Sequence, residues 1–296
     1  MSVWLAVLVH TPAHAALGSV LTYRHTQALT AGTLVRVPLG ARATLGVVWE
    51  AADDEASGEI DPGKVRDISE VLDTVLPLAG AWQQLVRFAA RYYQRSAGEV
   101  ALAALPPQLR ELSSLQLQRK AQRLQKALGM EAPAAMGSRT KKALSKDSGS
   151  VPDTDTDAAQ SQSQVPAKAL SAEQSDVLAQ IDALSGPFLL FGATGSGKTE
   201  VYLQAVEQLL AREPIAQALV MVPEINLTPQ LEARFIERFA PQWGPQAVVS
   251  LHSGMTPAQR LSAWLAAHQG GARIVLGTRM AVFASMPGLR LIVVDE

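Results

Sequence analysis

The sequence predicts an α/β protein in two parts: a β-rich domain over residues 1–105, a flexible linker over 106–167, and a parallel-sheet domain over 168–296. Three observations predict it. Short alternating apolar runs, broken by turn residues, fill the first part. Much of the middle is Ser, Asp, Gln and Ala with little to bury. In the last part apolar runs alternate with segments of helical period, the pattern of a sheet covered by helices.

Taken in order, "MSVWLAVLVHTPAHA" reads as a first strand, because it lacks the basic start that a signal peptide carries. "GTLVRVPLGARATLGVVWE" reads as a hairpin turning at Gly40, with Val35, Val37 and Leu39 alternating against Leu34 and Arg36. Pro38 has no N–H to give a ladder and belongs on an edge or at a bulge. In "AWQQLVRFAARYYQRS" the residues Leu85, Phe88, Ala89 and Tyr92 fall on one helical face.

Within the middle segment "QLQRKAQRLQKAL" has the composition of a short helix, and "SKDSGSVPDTDTDAAQSQSQVPAK" that of a flexible linker. Beyond it, "PFLLF", "ALVMV", "AVVSL", "RIVLG" and "LRLIVV" have the length and continuity of strands buried on both faces. Helical faces lie between them: Val206, Leu209 and Leu210; Leu231 and Phe235; Leu261, Trp264 and Leu265. Thr256 caps the last of these helices, with Pro257 in its first turn.

Composition narrows the function. At 48% hydrophobic residues over 296 the chain can build real cores, and its net charge of −1 means that any polyanion must be met by a local basic patch. The absence of cysteine removes disulfides, thiolate metal sites and cysteine nucleophiles, and suits a reducing, cytoplasmic setting. His10, His14, His25, His252 and His268 show no metal-ligand spacing, so no protein-held transition metal is expected. No apolar run reaches the length of a membrane span, and no membrane partner is expected.

The stretch "GATGSGKTE" carries the strongest chemical signal. Gly192, then Ala193, Thr194, Gly195 and Ser196, then Gly197, Lys198 and Thr199 match a phosphate-binding loop placed between an apolar run and a helix. Backbone N–H groups can wrap phosphate oxygens only where side chains leave them bare, and the following helix adds its positive end. Lys198 is expected to reach the β and γ phosphates of ATP, and Thr199 to hold Mg²⁺. "LRLIVVDE" supplies the second half of such a site: Asp295 would bind Mg²⁺ through water and Glu296 would polarise the attacking water.

Two readings stand side by side for Gln174. With Ser171 it forms a capping box, and it is also placed to recognise adenine. Thr278 and Arg279 follow an apolar run, where loops at the carboxyl ends of strands gather ligands; they read as contacts for the phosphates of single-stranded DNA, or simply as a solvated loop. Arg24, Arg36 and Arg42 are candidate phosphate contacts on the first domain, or simply its solvated surface.

Together "GATGSGKTEVY", "LVMVPEINLTPQ", "LHSGMTPAQRLSAW", "IVLGTRMAVFA" and "LIVVDE" resemble the PriA family of primosomal helicases, in superfamily 2. The first hundred residues are similar more loosely, through "RVPLGAR" and "RYYQRSAGEVALAALPP". The resemblance implies a 3′-end DNA-binding domain followed by a RecA-like lobe, with Pro223, Thr278 and Arg279 of the lobe and Arg36, Gly40 and Arg42 of the first domain toward DNA. It implies ATP-driven 3′ to 5′ unwinding at stalled forks, with forked or single-stranded DNA, single-strand-binding protein and primosome components as partners.

Three features depart from the family pattern. Leu21 and Thr22 stand where the family has Phe-Asp. The winged-helix domain expected within 106–167 is degenerate or absent. The acidic motif, Asp-Glu-Glu-His in the family, stops at Glu296, so the chain reads as an amino-terminal portion whose lobe is incomplete. A second lobe, its completing arginines and a zinc-binding cysteine-rich region are expected only beyond that point. The resemblance also predicts a gap in the sheet between the phosphate-loop strand and the acidic strand, marginal stability of the lobe, and negligible turnover. Two alternatives remain: another P-loop phosphotransferase, and a non-enzymatic remnant that binds forked DNA.

Overall fold

The computed structural model describes residues 2–11, 18–50, 61–127, 170–193, 195–223 and 227–295. They fall into two compact units, Met1–Glu131 together with Val206–Glu296, and Ala132–Ala205.

In the amino-terminal part β1 (Val3–Val9), β2 (Val20–His25), β3 (Leu34–Leu39), β4 (Arg42–Val48), β5 (Arg66–Asp67) and β6 (Glu70–Val71) make one sheet in the order β5-β2-β1-β4-β3-β6. The hairpin forms as the sequence predicts, with Leu39 opposite Arg42 and Gly40 at φ +63° in the turn. The two outer strands are halves of one segment. Arg66 and Asp67 pair with β2, Glu70 and Val71 pair with β3, and between them Ile68 N–H donates to Arg24 and Ser69 N–H to Arg36. The segment Arg66–Val71 therefore closes the sheet on itself, which removes the open edges that invite pairing with other chains.

Alternation along these strands sends residues to two cores. Val7, Val9, Val35 and Val37 join Tyr23 and Val48 in one, and the Tyr23 hydroxyl donates to Pro38 O at 3.0 Å. Leu8, Leu34, Leu45 and Val47 face the other, which is covered by helices.

Those helices are α1 (Gly80–Tyr92), α2 (Ala97–Ala104), α3 (Gln108–Glu111) and α4 (Ser114–Ala127). The predicted face of α1 is corrected: the helix buries Trp82, Gln83, Val86, Ala89 and Ala90, and leaves Phe88 and Tyr92 in solvent. Two apolar stripes compete on this helix, and the one carrying Trp82 and Val86 wins because it meets Leu8, Leu72 and Leu102 across the core. Gly98 of α2 shows how close the packing is, since a Cβ there would lie 1.9 Å from Val9 O. Order continues past residue 105, because Leu109 of α3 and Leu117 of α4 belong to the same core. The predicted Ser- and Asp-rich linker lies outside the described residues.

In the Ala132–Ala205 unit α5 (Ala172–Ala183) begins at Ser171 with a full capping box, and α6 (Lys198–Arg212) begins at the lysine of the glycine loop. One prediction fails here. Pro187–Phe191, expected as a strand buried on both faces, forms none, and Leu189 and Phe191 are 90% and 93% exposed. A strand persists only where a neighbour takes its backbone hydrogen bonds, and no strand pairs with this run among the described residues.

The carboxyl-terminal part holds β7 (Gln217–Met221), α7 (Pro229–Trp243), β8 (Val248–Leu251), α8 (Pro257–His268), β9 (Ile274–Gly277) and β10 (Leu289–Val294). The four strands are parallel in the order β10-β7-β9-β8. β10 pairs with β7 alone among the described residues, and its Ile292 and Val294 are exposed.

α8 is buried nearly all round, which a helix tolerates only between two cores. Ala263, Ala266 and Ala267 pack on the parallel sheet, while Leu261, Trp264 and Leu265 enter the core of the amino-terminal domain. The predicted α8 face is correct, and its partner is the first domain. The joint is also hydrogen-bonded: Trp82 Nε1–H donates to Phe283 O at 2.9 Å, and His268 lies between Leu76 O at 2.8 Å and Ser285 Oγ at 2.9 Å.

Candidate functional site

The glycine loop has the backbone that a phosphate cradle needs. Gly195 and Gly197 adopt φ +82° and +85°, a region that side chains disfavour. At Gly192 and Gly197 a Cβ would also displace the side-chain ends packed there, lying 2.7 Å from Ser196 Oγ in one case and 2.3 Å from Gln174 Nε2 in the other. The loop runs straight into the amino terminus of α6, where the first backbone N–H groups have no helical acceptor and the dipole is positive.

Lys198 folds back over the loop, its Nζ donating to Gly192 O at 2.6 Å and Ala193 O at 3.1 Å. These carbonyls hold the ammonium beside the cradle, on a side chain long enough to swing toward an anion. Thr199 follows in the first turn of α6. Thr194 lies outside the described residues.

Gln174 fills the capping-box role that its sequence context suggested, and it also reaches the glycine loop. Its Oε1 accepts from Ser171 N–H at 2.9 Å to complete the capping box, and its Nε2 donates to Ser196 O at 3.4 Å. The same side chain thus ties α5 to the glycine loop.

A second set of candidates gathers at the carboxyl edge of the parallel sheet. Val294, Met221, Gly277 and Leu251 are level across the four strands. The residues that follow are stitched to the neighbouring strand ends: Asp295 N–H to Met221 O at 2.8 Å, Val222 N–H to Gly277 O at 2.9 Å, and Thr278 N–H to Leu251 O at 3.3 Å. Asp295, Val222 and Thr278 therefore stand in one row, with Pro223 one residue beyond it, at the edge where parallel sheets bind ligands. Gly277 permits this stitching, because a Cβ there would lie 2.6 Å from Leu251 O. Thr278 is buried and precedes the short helical turn Arg279–Phe283, which carries Arg279 and Met280 into solvent. Glu296 lies outside the described residues.

On the first domain Gly40 and Arg42 sit exposed at the hairpin tip. Arg36 does not join them. Its side chain is 14% exposed, pairs with Glu70 at 3.0 Å, and donates to Leu109 O, Arg110 O and Leu112 O. It clamps the carbonyl ends of α3 to β3, a role that no local pattern signals because its carbonyl acceptors lie more than seventy positions away.

Among the described residues no group of three or more His, Cys, Asp or Glu could hold a metal, and no helix is long and apolar enough to cross a membrane. Thr199 offers a hydroxyl and Asp295 a carboxylate, each an oxygen donor of the kind that Mg²⁺ accepts beside phosphate and water.

Comparison with known proteins agrees with this architecture. Residues 6–106 match the family model of the PriA 3′ DNA-binding domain, and residues 160–296 match that of the DEAD/DEAH box helicases. The chain is 30% identical to the replication restart protein PriA of Haemophilus influenzae over 308 residues, covering 90% of this chain and 41% of that protein. It is 30% identical to its counterpart in Treponema pallidum over 303 residues, covering 100% of this chain and 38% of that one. Over 109 residues it is 45% identical to PriA of Bacillus subtilis, 37% of this chain and 13% of the relative. The chain thus spans well under half the length of these relatives. With the two domain models in succession and PriA relatives aligned along its whole length, the chain belongs to the PriA family of replication restart helicases.

Proposed function

We propose that this chain is the DNA-gripping and nucleotide-binding part of an ATP-dependent helicase that moves 3′ to 5′ on forked DNA in replication restart, in the cytoplasm. The observation that carries the reading is the glycine loop: Gly195 and Gly197 in the left-handed region, Gly192 packed against Ser196, and a lysine at the start of α6. That combination favours an anion and little else.

Mg·ATP would supply the phosphoanhydride whose hydrolysis drives movement. The backbone N–H groups of Gly195 to Lys198 would bind the phosphate chain, the Lys198 ammonium would leave Gly192 O and Ala193 O to offset its charge, and the Thr199 hydroxyl would take a place on Mg²⁺. Asp295 would hold the same ion through water, and Glu296 would orient the attacking water. Gln174, already against the loop, would read the adenine edge and report its presence to Ser196. Single-stranded DNA would pass Pro223, Thr278 and Arg279, with the hairpin tip at Gly40 and Arg42 toward a fork. Single-strand-binding protein and primosome components are the partners that fit this role.

Titration of the purified chain with a fluorescent ATP analogue and Mg²⁺ tests the proposal. Weak binding that Lys198→Ala reduces about tenfold or more supports it, since a hydrogen bond to a charged group contributes about 1.5–3 kcal/mol. Equal binding by both proteins removes it. Turnover by this chain is expected to be negligible, because the run before the loop pairs with no strand among the described residues. The same observation favours a second reading, in which the chain binds forks without using ATP; fork affinity insensitive to nucleotide in wild type would select it.

A further inference from the structure

The first domain leaves three neighbouring aromatic side chains in water. Phe88, Tyr92 and Tyr93, at the carboxyl end of α1, are 65%, 70% and 68% exposed, while Ala89 and Ala90 of the same turn are buried. The rings are mutually ordered. Phe88 and Tyr92 stack with centroids 5.9 Å apart and planes 24° from parallel, and Tyr93 meets Tyr92 edge-on at 4.9 Å.

Charge on this face has one sign along the helix. Gly80–Tyr92 contains Arg87 and Arg91 and no carboxylate. Arg91 lies three residues beyond Phe88 on the same side, and Arg95 lies past the end of the helix, after Gln94 turns the chain at φ +51°, paired loosely with Glu99 at 3.7 Å. Arg87 is held elsewhere, over the Trp49 ring. The exposed strip is thus a short column of ring faces flanked by guanidinium groups, with no exposed aliphatic residue of α1 among them.

We propose that Phe88, Tyr92 and Tyr93 form a stacking platform for unpaired bases of single-stranded DNA, whose phosphates Arg91 and Arg95 meet. Rings stack on any base, cations follow a backbone, and the two together are what a sequence-tolerant single-strand site requires. Paired bases keep their faces covered, so the platform selects the unpaired part of a fork. Aromatic rings and Arg also suit the core of a protein interface, and the test below separates that occupant from a nucleic acid.

This inference rests on the chain binding DNA at all, and its test separates the two. Anisotropy of a labelled oligothymidine is measured with the full chain at low salt. Tyr92→Ala and Phe88→Ala are each expected to weaken binding about tenfold, within the range of about 1–3 kcal/mol per stacked base. Tyr92→Trp is expected to retain binding, and Tyr92→Leu, apolar but unable to stack, to lose it like alanine. Both ring positions are exposed, so unchanged thermal melting will show that the variants fold. Wild-type affinity in Tyr92→Ala overturns the platform and leaves the proposed function standing. Loss of a self-associated state by sedimentation, with oligonucleotide binding unchanged, also overturns it and marks a protein interface. No oligonucleotide binding by wild type overturns the platform together with the DNA-binding reading.

Discussion

Acidification tests the joint between the two parts of the main unit at a single residue, His268. Its ring is fully buried, stacked on Trp264 at 4.8 Å, and fixed as the tautomer that donates from Nε2 to Leu76 O and accepts at Nδ1 from Ser285. Burial pushes its pKa down to about 4 from 6.5, against a smaller upward pull from the Leu76 carbonyl. The unfolded chain therefore binds a proton that the folded chain refuses between these values, and stability falls as pH drops through this window. Stability from this group is complete above about pH 6.5 and exhausted below about pH 4, a total of about 3 kcal/mol at 1.36 kcal/mol per unit. Between pH 7 and pH 5 the loss is about 2 kcal/mol, or about 1 M in the urea midpoint. Urea unfolding followed by tryptophan fluorescence at both pH values, in wild type and His268→Gln, isolates the term. The variant is expected to be less stable at pH 7 and to lose most of this pH dependence. Parallel pH dependences in the two proteins would refute the argument.

Gln217 is buried in β7 and makes three hydrogen bonds, donating to Ala267 O at 2.8 Å and Ala272 O at 2.7 Å and accepting from Gly288 N–H at 2.9 Å; Gln217→Leu should cost about 2–4 kcal/mol in chemical denaturation. Gly98→Ala drives a Cβ onto the Val9 carbonyl and is expected to destabilise the amino-terminal domain by about 3 kcal/mol or more, read as a fall in its thermal midpoint, while Gly40→Ala, with open space around it, is expected to cost about 1 kcal/mol from its positive φ alone. Trp82→Phe removes the bond to Phe283 O at 2.9 Å and should lower stability by about 1 kcal/mol.

How much was legible in the sequence depended on how local the cause was. The β3–β4 hairpin, the Thr256 and Ser171 caps and the glycine loop are fixed by neighbours within a few positions, and all were readable. The face of α1 was not, because two apolar stripes fit the same period and only the distant Leu8 and Leu102 decide between them. Nor was the fate of Pro187–Phe191, whose composition is that of a buried strand and whose backbone lacks a pairing partner among the described residues. Arg36 looked like a surface cation, and its acceptors in Leu109–Leu112 gave no signal in sequence. His268 and Gln217 were likewise silent, since their partners are brought in by the tertiary fold. In the candidate site, motif spacing was enough to place Lys198 and Thr199 at the helix start and Asp295, Pro223 and Thr278 at the strand ends.

The central claim is that the glycine loop binds a triphosphate, and amide chemical shifts test it most directly. Adding saturating Mg·ATP to isotope-labelled chain should move the resonances of Gly195, Ser196, Gly197 and Lys198 more than any in the amino-terminal sheet, and Lys198→Ala should abolish the effect. Resonances that stay in place at saturation, in a chain whose spectrum is otherwise that of a folded protein, would contradict it.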